Sequence, residues 1–156
     1  MKVDELDAKI VRLFSDEQRM SVLEASRILR VARATVQARL DRMVSSGVIS
    51  RWVPQPDPRA FGFPVVAFCS LTISQDLGHE AVAEALSRIP EVLEVHTVSG
   101  DSDLMARVAA KSNSDLQRVL DAVTATRAVL RSSSVIVLNT HFEDRTLPLL
   151  EAAARS

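Results

Sequence analysis

The chain has 156 residues, 47% hydrophobic and 25% charged, which fits one ordinary domain or two small ones and excludes disordered and fibrous classes. A single cysteine, Cys69, excludes an intramolecular disulfide framework. The apolar run near residues 61–73 is broken by Pro64 and is too short to cross a bilayer, and the acidic stretch MKVDELDAKI does not read as a signal peptide, so a cytoplasmic protein without a membrane partner is expected.

Taken in chain order, Leu6, Ile10, Leu13 and Phe14 recur at i, i+4, i+7 and i+8, the apolar stripe of an amphipathic helix, with Asp4 as its cap and Asp7 in its first turn. Ser21 and Glu24 form a capping box for a second helix, with Leu23 or Ala25, then Ile28 and Leu29, on its inner face. A third helix carries Val36, Leu40, Met43 and Val44 inward and stops near Gly47. RWVPQPDPRAFGFP, with its repeated prolines, blocks helix and marks a boundary.

Beyond it the texture changes. In PVVAFCSLTI, Val65, Ala67, Cys69, Leu71 and Ile73 share one strand face, and Val66 and Phe68 share the other with Ser70 and Thr72. Val82, Ala85, Leu86 and Ile89 predict a helix ended by Pro90, and residues 92–99 and 103–110 predict a hairpin around SGDSD. A helix capped by Ser114, with Gln117 in the capping-box position, then buries Leu116, Val119, Leu120 and Val123. SSSVIVLNTHF reads as the last strand, followed by a short apolar tail around Leu147, Leu149 and Leu150. The order β-α-β-β-α-β with right-handed crossovers gives a four-stranded antiparallel sheet, both helices on one face. The expected class is α+β: a winged-type helix-turn-helix domain over 1–50, an extended linker over 51–63, and a ferredoxin-like domain over 64–156.

Net charge is −1, but its distribution is uneven. Residues 1–60 hold eleven Lys and Arg against eight Asp and Glu, a balance of +3, and residues 61–156 hold eight against twelve, a balance of −4. Within 19–51, seven arginines face only Glu24 and Asp41, a balance of +5. With Val36, Leu40 and Met43 turned inward, Arg33, Thr35, Gln37, Arg39 and Arg42 are left pointing outward or along the flanks. Arg and Gln can bond guanine and adenine edges, while Arg27 and Arg30 sit where a first helix and turn would cross a phosphate backbone. The competing reading is a solvated basic face. Surface helices usually interleave signs, and this segment has few acidic residues to do so.

LDAKIVRLF, R-M-S at 19–21, T-V-x-x-R-L-D-R-M at 35–43 and S-G-V-I at 46–49 resemble the leucine-responsive/AsnC ("feast/famine") transcriptional regulators. The resemblance continues through P-x-x-x-G at 58–62 and G-D-S-D-L at 100–104, so it covers nearly the whole chain. It implies a DNA-binding domain joined to an effector and oligomerisation domain that senses amino acids or related metabolites, in dimers that assemble further, often into octamers. It places the effector at Gly100, Asp101 and Asp103, where plain turn chemistry is the alternative, and adds the hydroxyls of Ser132 and Ser134. Two departures stand out: Arg30 occupies a turn position that often carries Gly, and Ala32 replaces the usual Ser or Thr cap of the third helix.

His79, His96 and His141 lack metal-ligand spacing, no nucleophile motif, P-loop or dinucleotide fingerprint is present, and no cofactor is expected. The expectation is a non-enzymatic regulator of double-stranded DNA with a small-molecule effector. The alternatives are a DNA-binding oligomer without effector, and a small amino-acid-metabolism enzyme or its regulatory subunit.

Overall fold

The computed structural model describes residues 2–17, 19–74, 78–126 and 128–156. Its elements, in chain order, are α1 (Glu5–Asp16), α2 (Val22–Leu29), α3 (Arg33–Ser45), a 3-10 turn (Pro58–Phe61), β1 (Val65–Ile73), α4 (His79–Ser87), β2 (Val92–Thr97), β3 (Leu104–Ala110), α5 (Asn113–Ala125), β4 (Val129–Ile136) and α6 (Leu147–Ala154). They form two compact units, Met1–Pro54 with His141–Ser156, and Gln55–Thr140. Among the described residues, no helix is long and apolar enough to cross a membrane.

In the helical unit, α1 and α2 each begin at a reciprocal capping box. The Asp7 N–H donates to Asp4 Oδ1 at 2.9 Å and the Asp4 N–H to Asp7 Oδ2 at 3.1 Å. The Glu24 N–H donates to Ser21 Oγ at 3.2 Å and the Ser21 N–H to Glu24 Oε2 at 3.0 Å. Ile10, Ala25, Val36, Leu40 and Met43 close a small shared core. Each large aliphatic side chain buried there contributes roughly 1.5–3 kcal/mol. Two residues expected inward are not: Ile28 is 57% and Val44 51% exposed, because three short helices meet over only a narrow stripe. Trp52 packs edge-on against Phe14, ring centroids 5.3 Å apart, which ties it to this unit.

The tail beyond the sheet joins the helical unit rather than the domain that contains the sheet. Leu147, Leu150 and Ala154, at i, i+3 and i+7, form the half-buried stripe of α6. Arg12 Nε of α1 donates to Glu151 Oε1 at 2.6 Å. The boundary expected to hold residues 64–156 together therefore differs at its far end.

The second unit is a four-stranded antiparallel sheet of order β2-β3-β1-β4. Ala67, Cys69, Leu71 and Ile73 of β1 are buried with Leu104, Ala106 and Val108 of β3, Val82 and Leu86 of α4, and Leu116, Val119 and Val123 of α5. Val66, Phe68, Ser70 and Thr72 lie on the opposite face, where Phe68 is 44% exposed. β4 begins and ends earlier than SSSVIVLNTHF suggests. It pairs with β1 from Val129↔Ile73 to Ala67↔Ile136, and one further bond runs from the Val137 N–H to the Val66 carbonyl at 2.8 Å. α5 is capped one residue pair earlier than expected, by Ser112, whose Oγ accepts from the Asp115 N–H at 3.1 Å. The Asp115 carboxylate in turn accepts from the Lys111 N–H at 2.9 Å. Ser114 only exchanges a 2.8 Å hydroxyl bond with Ser112. Ser112→Ala should therefore lower the unfolding free energy by about 0.5–2 kcal/mol in a urea titration, and Ser114→Ala should cost less.

Candidate nucleic-acid interface and effector loop

α2 and α3 are joined by a turn that requires a left-handed residue. Arg30 takes that role at φ 54° and ψ 42°, and its N–H donates to the Arg27 carbonyl at 3.3 Å while the Val31 N–H reaches the Ser26 carbonyl at 3.1 Å. The conformation costs a non-glycine residue about 1–2 kcal/mol. α3 is preceded by Ala32 in the N-cap position, which has no side-chain cap hydrogen bond to offer.

Arg33, Gln37 and Asp41 share an exposed stripe of α3 with Ala34 and Ala38. Thr35 is half-buried beside them, and Arg27 and Arg30 are exposed on α2 and at the turn. Arg39 and Arg42, expected outward or along the flanks, lie on the flank toward α1, Arg39 half-buried and Arg42 exposed. Arg39 Nη1 donates to both oxygens of Asp4 at 2.6 Å and to Asp7 Oδ1 at 2.9 Å. Arg42 Nη2 donates to Asp7 at 2.9 and 2.8 Å. The Asp7 side chain is 0% exposed, against 24% for Arg39 and 47% for Arg42. The basic segment does have acidic partners, supplied by α1. A charge count restricted to residues 19–51 misses them, although the i, i+3 spacing of Asp4 with Asp7 and of Arg39 with Arg42 was a usable signal.

Hydrogen bonding to Arg39, then to the Asp7 backbone, holds the Asp4 carboxyl down from its ordinary 3.8 to about 2. Asp4 in turn holds Arg39 more firmly protonated than a free arginine. In the second unit, burial pushes the Cys69 thiol up to about 11, so it stays protonated at neutral pH and serves as a small core residue. Among the described residues, no group of three His, Cys, Asp or Glu could hold a metal ion.

The loop between β2 and β3 turns at Gly100, φ 116°. Its two aspartates divide their work. Asp103 Oδ2 accepts from the Ile73 N–H at 2.9 Å, its N–H donates to the Leu71 carbonyl at 3.0 Å, and its carbonyl accepts from the Val98 N–H at 3.1 Å. Asp101 is exposed. Ser132 stands opposite Leu71 and Ser134 opposite Cys69 on the other edge of β1. Ser132 and the loop therefore meet the same end of β1 from its two sides, with Ser134 further along.

A family model for the Lrp/AsnC ligand-binding domain matches residues 66–147, and a model for winged helix-turn-helix DNA binding matches residues 3–50. The HTH-type transcriptional regulator FL11 of Pyrococcus horikoshii is 31% identical over 94% of this chain and 97% of its own. AsnC of Escherichia coli has the same fold, with a TM-score of 0.84 over 94% of this chain and 99% of that one at 20% identity. A feast or famine regulatory protein of Mycobacterium tuberculosis, solved with L-methionine, is 27% identical, with a TM-score of 0.80 over 91% of this chain and 96% of that one. The chain belongs to the Lrp/AsnC family. It is a DNA-binding transcriptional regulator, not an enzyme.

Two outcomes test the ion cluster. Replacing Arg39 and Arg42 together by Ala strands a buried carboxylate and should cost about 3–5 kcal/mol, whereas Asp7→Ala should cost less because both guanidinium groups reach water; urea titration of each variant measures the asymmetry. The acid side follows from Asp4, whose folded pKa of about 2 lies below its ordinary 3.8. Its contribution is fully present above the higher value and is lost as pH falls through the lower one. Thermal melts of the unmutated chain and of Asp4→Asn should therefore converge across that window.

Proposed function

We propose that this regulator reads duplex DNA through Arg33 and Gln37 of α3, with Thr35 beside them and Arg27 and Arg30 on the phosphate backbone, and that an amino acid bound near Gly100 and Asp101 modulates it. The observation that carries the DNA reading is the exposed α3 stripe. Arg33 and Gln37 point away from the core on the second helix of the helix-turn-helix, the helix that enters the major groove in this motif. Arg39 and Arg42 act as struts toward Asp7, and they touch bases only if DNA displaces that carboxylate. DNA binding is assigned to residues 1–50, the connection to 51–63, and effector binding and assembly to the sheet unit.

The sheet has helices on one face only. The opposite face presents Val66 and Phe68 with Val135 of β4, 69% exposed, and a second copy of the chain is the cover that a two-layer domain needs. Homodimers that assemble further, up to octamers, would place paired α3 helices on a pseudo-palindromic operator. The L-methionine held by the mycobacterial relative makes a small amino acid the first effector to try. Asp101 is the carboxylate free to meet its ammonium group, because Asp103 is engaged with β1. Ser132 and Ser134 are secondary candidates. A ligand there acts only if its affinity differs between two assembly states.

Binding to duplexes selected from a randomised pool, with and without L-methionine and other amino acids, tests the whole reading. Arg33→Ala or Gln37→Ala should relax base preference, and Arg27→Ala should weaken all duplexes and reduce the salt slope by about one. Asp101→Ala should abolish the amino-acid response while leaving basal DNA binding intact. Unchanged binding in the two α3 variants overturns the helix assignment, an unchanged ligand response in Asp101→Ala overturns the effector site, and a monomer by light scattering overturns the assembly.

A further inference from the structure

The exposed stripe of α3 includes an acidic residue that the basic character of this surface does not explain. Asp41 lies one helical turn beyond Gln37, and Gln37 Nε2 donates to Asp41 Oδ1 at 2.8 Å. Both side chains are exposed. A carboxylate on a surface that approaches phosphates weakens binding to every duplex by like-charge repulsion. An i, i+4 amide–carboxylate pair stabilises a helix only slightly.

The chemistry of a carboxamide supplies a reason. Its two ends are nearly the same size and opposite in hydrogen bonding, so a free glutamine presents its donor and acceptor in either order. Beside an ionised carboxylate only one order is favourable, because the flipped amide would set its carbonyl oxygen against the carboxylate oxygens. Asp41 therefore fixes which end of the Gln37 amide is NH2. It takes one N–H and leaves the other N–H and Oε1, a donor beside an acceptor. Adenine N7 and N6–H2 present the matching acceptor and donor in the major groove.

We propose that Asp41 is a positioning residue for base recognition, holding Gln37 in the amide orientation that selects adenine at the expense of overall affinity for DNA. The proposal rests on α3 being the base-reading helix. An internal control exists on α5, where Gln117 Nε2 donates to Asp121 Oδ1 at 2.9 Å in the same i, i+4 arrangement.

The experiment measures base preference by selection from a randomised duplex pool, and affinity for non-specific duplex, for the full chain and for Gln37→Ala, Asp41→Ala, the double variant and Asp121→Ala. Asp41→Ala should lower the preference for adenine at one base pair by about fivefold or more while tightening non-specific binding by about twofold. These opposite movements are not produced by simple loss of helix stability. In the Gln37→Ala background, Asp41→Ala should change no base preference, and Asp121→Ala should change neither quantity. If Asp41→Ala keeps the preference that Gln37→Ala removes, Asp41 is only a surface charge and the proposal fails while the helix assignment stands. A preference lost on Asp41→Ala even without Gln37 would mean that Asp41 reads a base itself, which also overturns the proposal. If Gln37→Ala leaves every preference unchanged, Gln37 reads no base and the proposal fails, while the helix assignment still stands or falls with Arg33→Ala.

Discussion

The carboxylate of Asp7 is fully buried, and what it touches sets the geometry of the DNA-reading unit. It receives the Asp4 N–H at the start of α1 and guanidinium groups from Arg39 and Arg42 in the middle of α3. Among the described residues, the shared core has five buried side chains across the three helices, with ten partly buried apolar residues packed against them. Apolar packing of that size tolerates a rotation of some degrees, whereas charge-assisted bonds between planar groups do not. The consequence reaches the surface: with Arg39 and Arg42 drawn toward α1, the stripe facing outward is that of Arg33, Gln37 and Asp41.

How much of this was legible depended on sequence distance. The N-caps of α1 and α2, the uncapped Ala32 and the alternation along β1 are decided by residues a few positions apart and each has a local signature, whereas the left-handed Arg30 was marked only by the family resemblance. The mistaken cap of α5 is also local. Ser112 and Ser114 both qualify as caps by residue type, and the choice between them follows from Asp115, which reaches back to the Lys111 N–H. The partners of Arg39 and Arg42 lie more than thirty residues away at the start of α1, and only the matching i, i+3 spacing within each pair hints at the contact. The start of β4 is set by where β1 ends, at Ile73, which the residues of β4 do not encode. Ile28 and Val44 were misjudged because periodicity identifies an apolar face without saying how far a neighbour covers it.

The loop at Gly100 illustrates a division that a motif conceals. Two aspartates in one short stretch read as equivalent, and resemblance to a family of sensors treats them together. The fold uses Asp103 to finish the edge of β1, an obligation of backbone hydrogen bonding that exists with or without a ligand. Asp101 carries no such duty among the bonds described. A residue can therefore belong to a sensor motif for structural reasons, while its neighbour is the one at liberty to respond.

The helical unit is assembled from both ends of the described chain, with the sheet unit inserted between. Arg12 and Glu151, which meet between α1 and α6, are 139 positions apart. On the ribosome, α1, α2 and α3 emerge first, yet the last face of their unit is not covered until α6 has been synthesised, after the entire sheet. Domains generally fold in the order they emerge, and contacts of such separation form late. The sheet unit thus has the opportunity to fold before the DNA-reading unit is complete.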